Sequence, residues 1–138
     1  MPIRFNHTIV AATDKQRSAA FLTEILGLPD ATPAGFFLAV ELEDGVTLDY
    51  AEPGVPFPSQ HIAFLVSEED FDGILRRIQE RGVPHWADPR MSLPGQINTN
   101  DGGRGVYFDD PDGHHFEAIT RPYGSGEPYT PAQASSSS

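Results

Sequence analysis

The 138-residue sequence predicts an α+β fold in which one strand–helix–three-strand unit, βαβββ, is used twice. Two observations carry this. The hydrophobic pattern passes from strand alternation to helical periodicity and back to strand alternation, in the same order, in each half of the chain. Landmark residues also recur at a nearly constant offset. His7 and His61 open equivalent strands 54 residues apart, and Gly27-Leu28-Pro29 is answered by Gly82-Val83-Pro84 55 residues later. Asp44-Gly45 is matched by Asp112-Gly113, and the fourth residue after each glycine is an acid, Asp49 or Glu117. A chance match does not preserve element order and an acidic turn together, so the halves are read as a repeat.

Taken in order, Ile3 to Ala12 reads as a strand with Phe5, His7 and Ile9 on one face. The stretch "TDKQRSAAFLTEILGLP" reads as a helix capped by Thr13 or Asp14, with Ala20, Phe21, Ile25 and Leu28 as its apolar stripe and Gly27 and Pro29 as its end. "FFLAVELEDGVTLDYAEP" reads as two strands joined at Glu43-Asp44-Gly45. The pattern then restarts with the strand "HIAFLVSE". A helix follows with Phe71, Ile74, Leu75 and Ile78 inward, its N-terminus charged by Glu68, Glu69 and Asp70. His85 and Trp86 begin a short strand, which lines a pocket or is simply amphipathic. Pro94 to Gly105 is a polar, glycine-rich loop, either a lid or a solvated connector. "GVYFDDPDGHHFEAITRP" supplies two more strands around a tight turn, and His114 falls in that turn, where exposure is expected.

Composition excludes several functions. The net charge of −11 argues against nucleic acid and anionic membrane surfaces as partners. With no cysteine there is no disulfide framework, thiol nucleophile or thiolate metal site, which fits a cytoplasmic location. The N-terminus lacks the apolar core of a secretory signal, and no apolar run approaches the ~20 residues that span a bilayer. Residues 1–123 are expected to form one domain, with modules of about 1–55 and 56–123, and 124–138 a flexible tail.

Each histidine, taken alone, reads as a core or edge residue, and Glu117 as part of a solvated face. Jointly, two imidazoles and one or two carboxylates at matching positions of repeated modules can converge on a pseudo-twofold axis. Two imidazoles and a carboxylate are the usual donors of an open divalent site, suited to Fe2+ or Mn2+ and compatible with Zn2+ and Ni2+. Free coordination positions then accept a substrate's oxygens. Tyr107 is a packing residue of its strand, or a hydroxyl that hydrogen-bonds substrate and assists proton transfer. His115 shares the face of Glu117 and supports the site or sits on its rim.

The stretches "NHTIVA" at His7, "QHIAFLV" at His61 and "GVYFDDPDGHHFEAI" ending at Glu117 resemble the vicinal oxygen chelate superfamily. That superfamily holds glyoxalase I, fosfomycin-resistance proteins, type I extradiol dioxygenases and bleomycin-resistance proteins. The resemblance spans roughly Ile3 to Pro122, and the F-x-D-P-D-G-H-x-x-E form is its most specific part. It implies paired modules whose mixed sheet curls around a metal-binding cavity, and a homodimer that can share its sites between modules. It also implies one divalent ion on His7, His61 and Glu117, and a small-molecule substrate that chelates the metal through adjacent oxygens. Departures mark the branches. Asp49 stands where glyoxalase I has a fourth ligand, a glutamate; one methylene shorter, it ligates, acts as a base through water, or does neither. Ile9 replaces a threonine of the fosfomycin enzymes, and only Arg104 and Arg121 stand near the place of their basic cluster. The expected function is therefore a metal-dependent lyase, isomerase or extradiol-type dioxygenase. The alternatives are an antibiotic- or metabolite-binding resistance protein without turnover and an epoxide-opening transferase.

Overall fold

In the computed structural model, which describes residues 2–126, the repeat is realised as two units, Met1–Gln60 with Asp110–Gly113, and His61–Asp109 with His114–Ser138. Each holds one helix and one four-stranded mixed sheet, so the α+β reading with paired βαβββ modules is borne out.

The first unit runs β1 (His7–Ala11), α1 (Lys15–Leu26), β2 (Thr32–Ala34), β3 (Phe37–Glu41) and β4 (Thr47–Ala51). Its sheet order is β1-β4-β3-β2, with β1 parallel to β4 and the other pairs antiparallel. Helix α1 starts where the Asp14 carboxylate accepts from the backbone N–H groups of Gln16 and Arg17 at 3.1 and 3.2 Å, satisfying donors that lack a helical partner. It stops at Gly27, whose φ of 72° is a left-handed conformation costly for a residue with a Cβ. The buried face of α1 is one step out of phase with the expected stripe. Ala19, Leu22 and Ile25 are buried with Ser18 and Thr23, whereas Ala20 is exposed and Phe21 and Leu28 are only half-buried. The small polar residues are what displaced the reading, because each is satisfied. The Ser18 hydroxyl donates to Asp112 at 2.7 Å and the Thr23 hydroxyl to Ala20 O at 3.1 Å. Strand β2 is three exposed residues around Pro33, too short and too polar to show alternation, and lies at the sheet edge, where proline is tolerated. Strands β3 and β4 are joined through a 3-10 turn at Glu43–Gly45.

The second unit repeats the plan with β5 (His61–Leu65), α2 (Glu68–Glu80), β6 (His85–Trp86), β7 (Gly105–Asp109) and β8 (His115–Ile119), in sheet order β5-β8-β7-β6. Ser67 caps α2 by accepting from Asp70 N at 3.0 Å, and three acids occupy its first turn, where the helix dipole favours them. Phe71, Ile74 and Ile78 are buried, and Leu75 is half-buried. In the sheet, Phe116 packs against Phe108 and Phe64 with ring centroids 5.7 and 5.9 Å away, close to the spacing preferred by tilted aromatic pairs. His114 is fully buried, contrary to the exposure expected of a turn residue. The two-residue alternation of β8 extends back past its formal start, so His114 lies on the inward side with Phe116 and Ala118.

The two sheets share one register. His7 pairs with Thr47 and Ile9 with Asp49; His61 pairs with His115 and Ala63 with Glu117. Gly124 and Gly126, at the start of the expected tail, donate backbone N–H groups to Asp101 at 3.2 and 3.1 Å, and the rest of that tail lies outside the described residues. Among the described residues no helix is long and apolar enough to cross a membrane.

Replacing Asp14 with Ala removes both cap acceptors and is expected to lower stability by about 1 kcal/mol in urea denaturation. Phe116→Ala empties the aromatic cluster of the second unit and is expected to cost about 3–5 kcal/mol in the same measurement.

Candidate functional site

The chemistry-bearing side chains of the second unit are gathered by strand pairing. On β8, Phe116 and Ala118 face the core, so His115 and Glu117 face the other way. Parallel pairing sets His61 opposite His115, and antiparallel pairing sets Tyr107 opposite Glu117 and Asp109 opposite His115. His61, Glu117, Tyr107, His115 and Asp109 therefore share one side of a three-strand ladder. Polar contacts follow from that placement. His61 Nε2 lies 3.2 Å from Glu117 Oε1, with the imidazole 52% and the carboxylate 13% exposed. The Tyr107 ring is tilted 48° to the His61 ring with centroids 6.2 Å apart. His115 Nδ1 lies 2.7 Å from Asp109 Oδ1.

Burial pushes the Tyr107 phenol well above its ordinary value, and the charge of Glu117 together with a hydrogen bond to it pushes the same way. Tyr107 is thus a phenol at neutral pH, a donor rather than a base. A cavity of about 180 Å³ opens beside these residues, lined by His61, Tyr107 and His115, by Trp86 at the end of β6, and by Asp88 and Met91 of the loop that follows.

The first unit carries the other expected residues at the equivalent register. His7, on β1, is exposed, and its Nδ1 lies 2.6 Å from Asn6 Oδ1. Asp49, on β4, accepts from the Thr47 hydroxyl at 3.0 Å. Register equates Thr47 with His115, Asp49 with Glu117 and Ala39 with Tyr107, so the repeat keeps positions and changes the chemistry. The structure thus brings His61, Glu117 and Tyr107 together and leaves His7 and Asp49 on the sheet of the first unit.

An open divalent site of the mixed type takes imidazole nitrogen and carboxylate oxygen donors with an accessible edge. The His61–Glu117 pair meets that description: one nitrogen and one oxygen converge, the carboxylate is mostly withdrawn from water, and the imidazole stays open. Among the described residues, no group of three His, Asp or Glu side chains capable of holding a metal ion forms. Sequence reasoning passed over Asp109, Asp88 and Met91. Asp109 follows Tyr107 by two residues, so strand alternation carried its signal; Asp88 and Met91 sit in a loop whose path no periodicity reveals.

A family model described as the Glyoxalase/Bleomycin resistance protein/Dioxygenase superfamily matches residues 4–118. The glutathione transferase FosA of Serratia marcescens is 34% identical over 120 residues, which is 81% of this chain and 77% of that protein. Among solved structures, the oxidase ChaP-H1 is 54% identical with a TM-score of 0.87, covering 89% of this chain and 99% of its own. The oxidase ChaP-H2 is 56% identical with a TM-score of 0.88, covering 92% of this chain and 100% of its own. The chain belongs to the glyoxalase/bleomycin resistance protein/dioxygenase superfamily, the vicinal oxygen chelate proteins.

Proposed function

We propose that this chain is a metal-dependent oxidase of the vicinal oxygen chelate superfamily, acting on a small substrate that presents two adjacent oxygens. The observation that carries the reading is the convergence of His61 Nε2 and Glu117 Oε1 at 3.2 Å beside Tyr107 and an open cavity. His61 and Glu117 would hold the ion, His7 would be its third ligand, and Asp49 would be a further ligand or a base. The face that carries His7 also exposes Phe5 and Ile9, and Phe36 is 89% exposed. Exposed apolar side chains on this scale support a homodimer in which a second copy covers them.

A divalent ion on these donors supplies positive charge that draws in and polarises the substrate's adjacent oxygens. The chain's own residues do the rest. Glu117 provides negative charge in a mostly dry setting, where it attracts a cation strongly. Tyr107, protonated, donates a hydrogen bond toward Glu117 or a substrate oxygen. Trp86 and Met91 keep one side of the cavity apolar.

Two observations favour oxidation over thiol transfer. Two solved structures above 50% identity are oxidases, whereas the FosA transferase is 34% identical. Arg104, one of two arginines near the place of a basic substrate cluster, is committed elsewhere. It forms ion pairs of 2.8 Å with both Glu68 and Asp72 and stacks over Phe71 at 4.6 Å.

Protein purified without chelator is expected to carry a divalent ion by elemental analysis. His61→Ala and Glu117→Gln are each expected to lower metal affinity by more than the ~10–100-fold that losing a supporting hydrogen bond costs a metal site. Equal metal content in wild type and His61→Ala rejects the site. Dioxygen uptake with catechol-type substrates, abolished by metal removal, is the expected activity. Ligand-induced thermal stabilisation that survives chelator treatment, without dioxygen uptake, indicates a binding protein without turnover instead.

A further inference from the structure

Three non-glycine residues among those described adopt positive φ: Asp44, Asp101 and Met91. Aspartate tolerates this conformation because its short side chain hydrogen-bonds locally; an unbranched apolar side chain gains nothing from it. Met91, at φ 60°, is nonetheless held there. The Asp88 carboxylate accepts from the backbone N–H groups of Ser92 and Leu93 at 3.0 and 2.9 Å and from the Ser92 hydroxyl. Ala87 N donates to Leu93 O at 3.1 Å, and Trp86 bridges to Pro94, so the segment between them closes on itself. Packing does not account for the methionine, which is 40% exposed. Its side chain instead lines the cavity that His61, Tyr107 and Trp86 also line. Strain maintained by surrounding hydrogen bonds, at a side chain facing a cavity, is the pattern of a ligand clamp.

We propose that Met91 determines specificity by pressing its thioether onto a flat conjugated ring that enters this cavity against the aromatic side chains of Trp86 and Tyr107. The size agrees: a cavity of about 150 Å³ holds a benzene ring, and this one is about 180 Å³. So does the chemistry, because methionine sulfur makes favourable contacts with aromatic rings and adapts to their outline. The inference rests on the functional reading above, with the chelating oxygens carried by that ring.

Trp86 is the sole tryptophan and lines the cavity, so its fluorescence reports occupancy there directly. The test titrates the full chain with manganese(II) present, using benzohydroxamate and acetohydroxamate. These carry the same pair of chelating oxygens, with and without a flat ring. Wild type is expected to prefer benzohydroxamate. Met91→Gly is expected to lose about tenfold in benzohydroxamate affinity, with acetohydroxamate unchanged. Because glycine adopts positive φ freely, this variant is expected to melt no lower than wild type. Met91→Ala, which keeps the strain without the side chain, is expected to show the same loss of ring preference at lower stability. If Met91→Gly keeps the wild-type preference, or weakens both hydroxamates equally, the clamp is overturned and the metal site stands. If neither hydroxamate quenches wild-type fluorescence, the chelating site itself is overturned, and the clamp with it.

Discussion

The pairing of β8 with β5 on one edge and β7 on the other is the constraint on which the rest of the second unit depends. Side chains on a strand alternate with a period of two, so registry and function are coupled. With Phe116 and Ala118 in the core, His115 and Glu117 must face the cavity side. A slip of one residue would send the glutamate into an aromatic cluster and the phenylalanine into water, which the hydrophobic and desolvation terms both oppose. The core therefore aims the site: the energy that buries Phe116 against Phe64 and Phe108 also fixes Glu117 opposite Tyr107.

Aiming alone does not make a carboxylate useful. Glu117 has lost most of its water, and His61 Nε2 and the Tyr107 phenol are the groups that offset that loss. Neither is a fixed cation such as arginine. The arginine close in sequence, Arg104, is tied to Glu68 and Asp72. The same superfamily hosts transferases and oxidases on one scaffold, so the fold by itself selects neither activity.

Much of this was legible in the residues themselves. Asp14 caps its helix by local hydrogen bonds, and Asp44-Gly45 and Asp112-Gly113 mark turns whose backbone needs are local. The repeat could be read because each module reuses the same local signals. What escaped depended on partners distant in sequence. The inward face of α1 was misjudged because Ser18 is satisfied by Asp112, 94 residues away. His114 was misplaced because its burial belongs to the alternation of a strand rather than to its turn. Strand β2 exists through its pairing with β3, not through three exposed residues around a proline.

For the site, the sequence by itself determined the donor types, their spacing within each strand, and the correspondence of His7 with His61 and of Asp49 with Glu117. Periodicity and turn chemistry are short-range, and a linear reading captures them. Only tertiary structure decided that His61 and Glu117 touch, that Asp109 engages His115, and that Met91 is held in a left-handed conformation at the cavity. Those outcomes follow from sheet registry and from hydrogen bonds that close the loop. Both are set by the collective packing of the whole unit, and no window of neighbouring residues contains that information.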